Sequence, residues 1–274
     1  MDVAVADAFL ESAAAMTPDL TLLSGDLTMR ARRSELSDAR RFVDRLPQPR
    51  LVIPGNHDIP LINHPFDRFF RSFRRYQSEF GEDLEPELIA GGMHVVSLNS
   101  TRAFGFYTDW SEGRLSASQL ARMQEQFIKG PPDHFRILML HHPLFTLQIS
   151  GRAVVKPLHK LMQAIENSRV DLVLCGHFHR SQVLAASLTD TWHAVISQAP
   201  TVCSTRLQGE PQGFHEIRQG NGRIEITHHV FQNGSFTPAG ISAFALGPSG
   251  WTDAPPLLQS STLAFQGRAE PGDD

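Results

Sequence analysis

Four short apolar runs, each broken off at once by residues able to bind a metal or move a proton, constrain this chain more than any other feature. Thr21-Leu22-Leu23 leads to Gly25-Asp26, and Leu51-Val52-Ile53 leads to Gly55-Asn56-His57-Asp58. Ile137-Leu138-Met139-Leu140 leads to His141-His142-Pro143, and Leu172-Val173-Leu174-Cys175 to Gly176-His177-Phe178-His179. Short apolar runs closed by turn-forming residues read as buried strands. Ligands of an open α/β sheet bind beyond the carboxyl ends of its strands. The four polar sets are therefore expected to converge on one sheet edge.

Amphipathic stretches between the runs supply the helices. Helical spacing of apolar residues marks 3–16, where Val5, Phe9 and Leu10 share a stripe, and 34–46, where Leu36, Ala39, Phe42 and Val43 do. Further helices are expected over 66–80, 116–128 and 154–165, and a strand over 95–98. From Trp192 the pattern turns to strands at 193–196, 214–217 and 223–231, with Asn221-Gly222 as a hairpin turn. Helix–strand alternation followed by a strand-rich end argues for an α/β sandwich of mixed sheets. After Asn233 the chain becomes rich in Gly, Pro and Ser and has no lysine. The expected organisation is one domain over 1–232 and a flexible tail over 233–274.

Composition removes several function classes. At 274 residues, 41% hydrophobic and 20% charged, the chain has the makeup of an ordinary globular protein. A formal net charge of −4 supplies no basic footprint for bulk nucleic-acid binding. Two cysteines cannot make a disulfide framework in a chain of this length, which fits a reducing compartment. No apolar run has membrane-spanning length, and the start Met1-Asp2-Val3-Ala4 lacks the positive flank of a secretion signal. No membrane partner and a cytoplasmic location are the expectation.

The donors at the strand ends are a carboxylate, an amide oxygen and imidazoles. Such a mixed nitrogen and oxygen set suits Mn, Fe or Zn better than Cu(I) or Ca. Glycine before Asp26, Asn56 and His177 allows the sharp turn and close backbone approach that a site at a strand end requires.

The ordered series Gly-Asp, Gly-Asn-His-Asp, His-His and Gly-His-x-His resembles the calcineurin-like metallophosphoesterase superfamily. Ser24-Gly25-Asp26-Leu27-Thr28 and Leu51-Val52-Ile53-Pro54-Gly55-Asn56-His57-Asp58 are similar to its bacterial branch related to cyclic-nucleotide phosphodiesterases. The resemblance covers about 1–231. It implies a four-layer α/β/β/α sandwich with a dinuclear centre of Mn, Fe or Zn. Asp26 would bridge the two ions, Asn56, His141 and His177 would complete the second ion's ligands, and His179 would bind the first. His57 would stabilise or protonate the leaving oxygen, oriented by Asp58. His142 has no counterpart role in the family pattern and is expected either to support the ligands from behind or to pack. The implied activity is hydrolysis of a small phosphoester, most naturally a phosphodiester, with a homo-oligomer as a further option.

The family pattern also opens with Asp-x-His at the end of its first strand. Here Asp2 is followed by Val3-Ala4, and 2–16 align with the helix after that motif. The expectation is a sheet without its first strand and an impaired first metal position left with Asp26 and His179. The alternative it opens is a truncated relative that holds one metal and acts as a binding or interaction protein.

Overall fold

The computed structural model describes residues 2–61, 65–102, 112–145, 154–205 and 209–257. The first half runs α1 (Val3–Met16), β1 (Thr21–Leu23), α2 (Arg33–Asp44), β2 (Arg50–Val52), a single 3₁₀ turn (Asn56–Asp58), α3 (Pro65–Phe70), α4 (Arg74–Phe80), β3 (Glu87–Ala90), β4 (Met93–Leu98) and α5 (Ala117–Lys129). There follow β5 (Phe135–Leu140), α6 (Leu158–Asn167), β6 (Leu172–Cys175), β7 (Gln182–Ala186), β8 (Ala194–Gln198), β9 (Gly213–Gly220), β10 (Arg223–Gln232), β11 (Ser235–Gly247) and β12 (Gly250–Ala254).

Three sheets result among the described residues. The largest has six strands in the order β3-β4-β5-β6-β8-β7, parallel through β4, β5, β6 and β8, with antiparallel β3 and β7 at its edges. A four-stranded antiparallel sheet runs β12-β11-β10-β9, and β1 pairs with β2 in parallel.

Strand alternation sorts the core into two faces. Val96, Leu98, Leu138, Leu140, Val173, Cys175, Ala194 and Ile196 point to one side of the large sheet, where Leu120, Met123 and Phe127 of α5 and Leu161 and Ile165 of α6 cover them. The residues between them, Val95, Ile137, Met139, Leu172 and Val195, point the other way. They pack against Leu51 of β2, Ile53 just beyond it, and Ile224, Ile226, Phe244 and Trp251 of the small sheet. Val5, Phe9, Leu10 and Ala13 of α1 then close the outer side with Phe236 and Leu46. The layers are helix, sheet, sheet, helix, as expected. Each fully buried Leu, Ile or Phe in such a layer contributes roughly 1.5–3 kcal/mol.

Three sequence expectations need correction. The stretch after Asn233 does not begin as a loose tail, because Ser235–Ala254 holds β11 and β12, and Phe244 and Trp251 are buried in the inter-sheet core. Pro238 is accommodated in β11 because β12 pairs only with Ala243–Gly247, so the segment around Pro238 has one strand neighbour, and a register shift at His228/His229 absorbs the irregularity. Residues 258–274 of the expected tail lie outside the described set. The helix expected over 66–80 is two helices with a break at 71–73, and the break lets Tyr76 be buried beside Leu36 and Ala31. The helix expected from 154 begins at Leu158, since Pro157 caps it and the residue before a proline is held extended. Among the described residues no helix is long and apolar enough to cross a membrane.

Candidate active site

Parity along β5 decides where the paired histidines go. His141 continues the Ile137–Met139 series toward the inter-sheet side, where the loops after β1 and β2 lie. His142 continues the Leu138–Leu140 series toward the helices, where its Nδ1 meets Ser100 Oγ at 2.8 Å and a Cβ on Gly113 would strike its ring. His142 is thereby packed against Ser100 and Gly113, and its ring stands 4.9 and 4.8 Å from those of His141 and His177. The possible ligand atoms of the three histidines lie within 4.8 Å of one another.

Four of the five side chains expected to bind metal meet. Asn56 Oδ1 is 3.0 Å from His141 Nε2 and 2.9 Å from His177 Nδ1. His141 Nε2 is 3.3 Å from Asp26 Oδ2 and 3.3 Å from His177 Nδ1. His179 is half-buried two residues beyond His177. Asp26, His177 and His179 all have left-handed backbone, with φ of 57°, 74° and 54°. Non-glycine residues held there cost about 1–3 kcal/mol each, and such strain concentrates at functional sites.

The donor set fits a metal ion. Bonds of about 2.1 Å at right or tetrahedral angles space donors about 3.0–3.4 Å apart, close to the separations found here. His141 Nδ1 donates to the Ser24 carbonyl at 2.7 Å, which turns Nε2 and its lone pair toward Asp26 and Asn56. Acceptor atoms held this close to one another favour a positive charge among them. Burial opposes charge on His141, but Asp26, the Ser24 carbonyl and Asp58 outweigh it and raise its pKa above the usual value. Burial likewise pushes the Asp26 carboxyl up, but His141, with His57 in support, overcomes this and leaves it well below its usual range.

Asp58 does something other than expected. Its Oδ2 accepts the Gly55 and Leu27 amides at 2.9 and 3.1 Å, and its Oδ1 accepts the Thr28 amide at 2.9 Å. It stitches the two loops together, while the His57 ring is oriented by Met29, whose carbonyl lies 3.0 Å from Nδ1. Burial, then the Asp26 charge, push the Asp58 carboxyl up to about 6 against the Gly55 and Leu27 amides, which pull it down. The His57 amide donates to Asp26 Oδ1 at 2.9 Å, and Thr28 Oγ1 donates to the His57 carbonyl at 2.9 Å. Ser24 and Met29 act through backbone carbonyls, which no pattern of residue types reveals. Cys175 is buried, and desolvation pushes its thiol up to about 12, so it is inert packing.

The chain is similar in sequence and in fold to known proteins. The family model described as calcineurin-like phosphoesterase matches residues 4–181. The chain is 29% identical over 176 residues to a probable cyclic nucleotide phosphodiesterase of Synechococcus, across 63% of this chain and 62% of that relative. It is 27% identical over 191 residues to a probable glycerophosphodiester phosphodiesterase of Arcobacter nitrofigilis, across 65% of this chain and 61% of the relative. The match thus spans less than two thirds of these relatives' length. Purple acid phosphatase from yellow lupin seeds superposes with a TM-score of 0.59 at 12% identity, over 86% of this chain and 48% of that one, a likeness of fold alone.

Proposed function

The chain belongs to the calcineurin-like phosphoesterase family, and from that premise we propose that it is a metal-dependent phosphodiesterase acting on a small phosphoester. The observation that carries this reading is the convergence of Asp26, Asn56, His141 and His177 with neighbouring donor atoms no more than 3.3 Å apart. These four would hold one divalent ion, and Asp26 with His179 would contribute to a second. Bound ions of the Mn, Fe or Zn kind would supply Lewis acidity to the phosphoryl oxygens and lower the pKa of the attacking water.

The chain's own groups do the rest. Asp26 holds its carboxylate between two loops through the His57 amide. The Nδ1 proton of His57 is committed to the Met29 carbonyl, so any proton the ring gives or takes is exchanged at Nε2. In hydrolysis an oxygen of water would bond to phosphorus as the ester P–O bond breaks; His57 Nε2 would give its proton to the departing oxygen, and the proton shed by the attacking water would restore the ring by way of solvent. Asp58 fixes the spacing of the two loops, and so the reach of His57 over Asp26. The similarity to relatives named for cyclic nucleotides and glycerophosphodiesters supports a diester rather than a monoester as substrate.

The test is hydrolysis of bis(p-nitrophenyl) phosphate with Mn²⁺ by the wild type and His57→Ala. Loss of a positioned general acid lowers turnover about 10²–10⁴-fold. Equal turnover by both proteins would overturn the role of His57, and no turnover by the wild type at any Mn²⁺ concentration would overturn the activity.

A further inference from the structure

The loop after β6 carries both His177 and His179 in left-handed conformations, with φ of 74° and 54°. Neither is glycine, so the surroundings must hold the loop in place. Its first half is fixed by the Gly176 amide on the His141 carbonyl at 3.0 Å and the Phe178 amide on the Gly176 carbonyl at 3.0 Å. Its far end is fixed at Arg180 and Ser181. Gln198 Nε2 donates to the Arg180 carbonyl at 3.0 Å, and the Ser181 amide donates to Glu210 Oε2 at 2.7 Å.

A further anchor crosses between the six-stranded and four-stranded sheets. His215 stands on β9 of the small sheet, with Nε2 2.8 Å from Ser181 Oγ and Nδ1 2.7 Å from Ser197 Oγ. Ser197 is buried on β8 and in register with Leu174 of β6, the strand that launches the loop. One imidazole therefore ties the loop to both layers, donating at one nitrogen and accepting at the other. Burial, then His228 and His229, push its pKa down to about 3, so it stays a neutral bridge at working pH.

We propose that His215 is a positioning residue, which through Ser181 and Ser197 holds the loop of His177 and His179 in its strained conformation and so sets the affinity of the site for a divalent cation. The proposal rests on the metal-binding reading above. The test is calorimetric titration of the whole chain with Zn²⁺, alongside the melting temperature of the metal-free protein, for wild type, His215→Gln, His215→Asn and Ser181→Ala. Glutamine places its amide near the position of Nε2 and keeps the bond to Ser181, whereas asparagine places its amide near Nδ1 and loses that bond.

Loss of a group that orients ligands weakens metal binding about 10–100-fold. That loss is expected in full for His215→Asn and Ser181→Ala, and in smaller measure for His215→Gln, which keeps the bond to Ser181 and gives up the one to Ser197. Ser181→Ala removes one hydroxyl at a half-buried position and carries the test if His215→Asn does not fold. Melting temperatures that fall while Zn²⁺ affinity stays at the wild-type value would overturn the proposal and leave His215 a packing residue. A wild type that takes up no Zn²⁺ would overturn the metal reading itself, and this proposal with it.

Discussion

Gly55 has no room for a side chain, because a Cβ built there would land on the carboxylate oxygen and amide nitrogen of Asp26. Its φ of −104° suits any residue, so the constraint is steric. Gly25, with φ of 89°, also has backbone against backbone, since a Cβ there would come within 2.6 Å of the Gly55 amide. Gly55→Ala is therefore expected to cost about 1–3 kcal/mol by overpacking and to displace Asp26 from His141. Thermal unfolding and metal content of the purified variant check this, and wild-type zinc content would contradict it. The sequence marks these glycines as turn formers, but it cannot say which loops touch, so the clearance that Gly55 provides for Asp26 was not legible. Asp58 belongs to the same scale: the family resemblance implies that it orients His57, but the 3₁₀ turn sends the carboxylate inward to three backbone amides and the imidazole toward Met29.

Glu166 shows how one side chain near the end of an element organises the next. It lies in the last turn of α6, buried, and gathers the turn between β7 and β8. Its oxygens accept from the Ser187 hydroxyl at 2.6 Å, the Thr189 hydroxyl at 2.6 Å, the Thr189 amide at 3.0 Å and the Leu188 amide. Burial alone would raise its pKa, but the bonds from Ser187, Thr189 and Leu188 outweigh burial and bring it down to about 2. A carboxyl whose folded pKa lies below its unfolded one stabilises the fold fully above the unfolded value of about 4.3 and loses that contribution as pH falls toward 2. Glu166→Gln is expected to cost about 1–3 kcal/mol at neutral pH and to flatten the acid limb between those limits. Urea unfolding midpoints of both proteins across pH 2 to 7 decide it, and parallel curves would refute the assignment. At this scale the helices with strong apolar stripes were legible from their periodicity, whereas β11 was not. Most of its residues face solvent, and its Pro238 and Gly240 carry the composition of a loop. Only tertiary pairing with β10 makes it a strand.

The layered architecture was legible because four strands announced their ends chemically and their alternation assigned each face. The pinning of one layer to another by polar side chains was not, because it depends on which residues meet across sheets. That pinning also governs how the whole molecule answers a ligand. The loops carrying Asp26, Asn56, His141 and His177 follow β1, β2, β5 and β6, which belong to two separate sheets. A cation held by all four cross-links those sheets in the native state, and any unfolding that separates them must release it. Binding to the native state alone adds about 2.7 kcal/mol at a ligand concentration a hundred times Kd. For a chain of this size that corresponds to a rise in Tm of roughly 5–10 °C. Calorimetric scans with Zn²⁺ and with a chelator measure the difference directly. His177→Gly is the matched control, because it removes one imidazole while relieving the left-handed φ of 74°. Its metal-free Tm should stay close to that of the wild type, and its response to Zn²⁺ should disappear. An equal rise in both proteins would place any bound zinc away from the Asp26–His177 cluster.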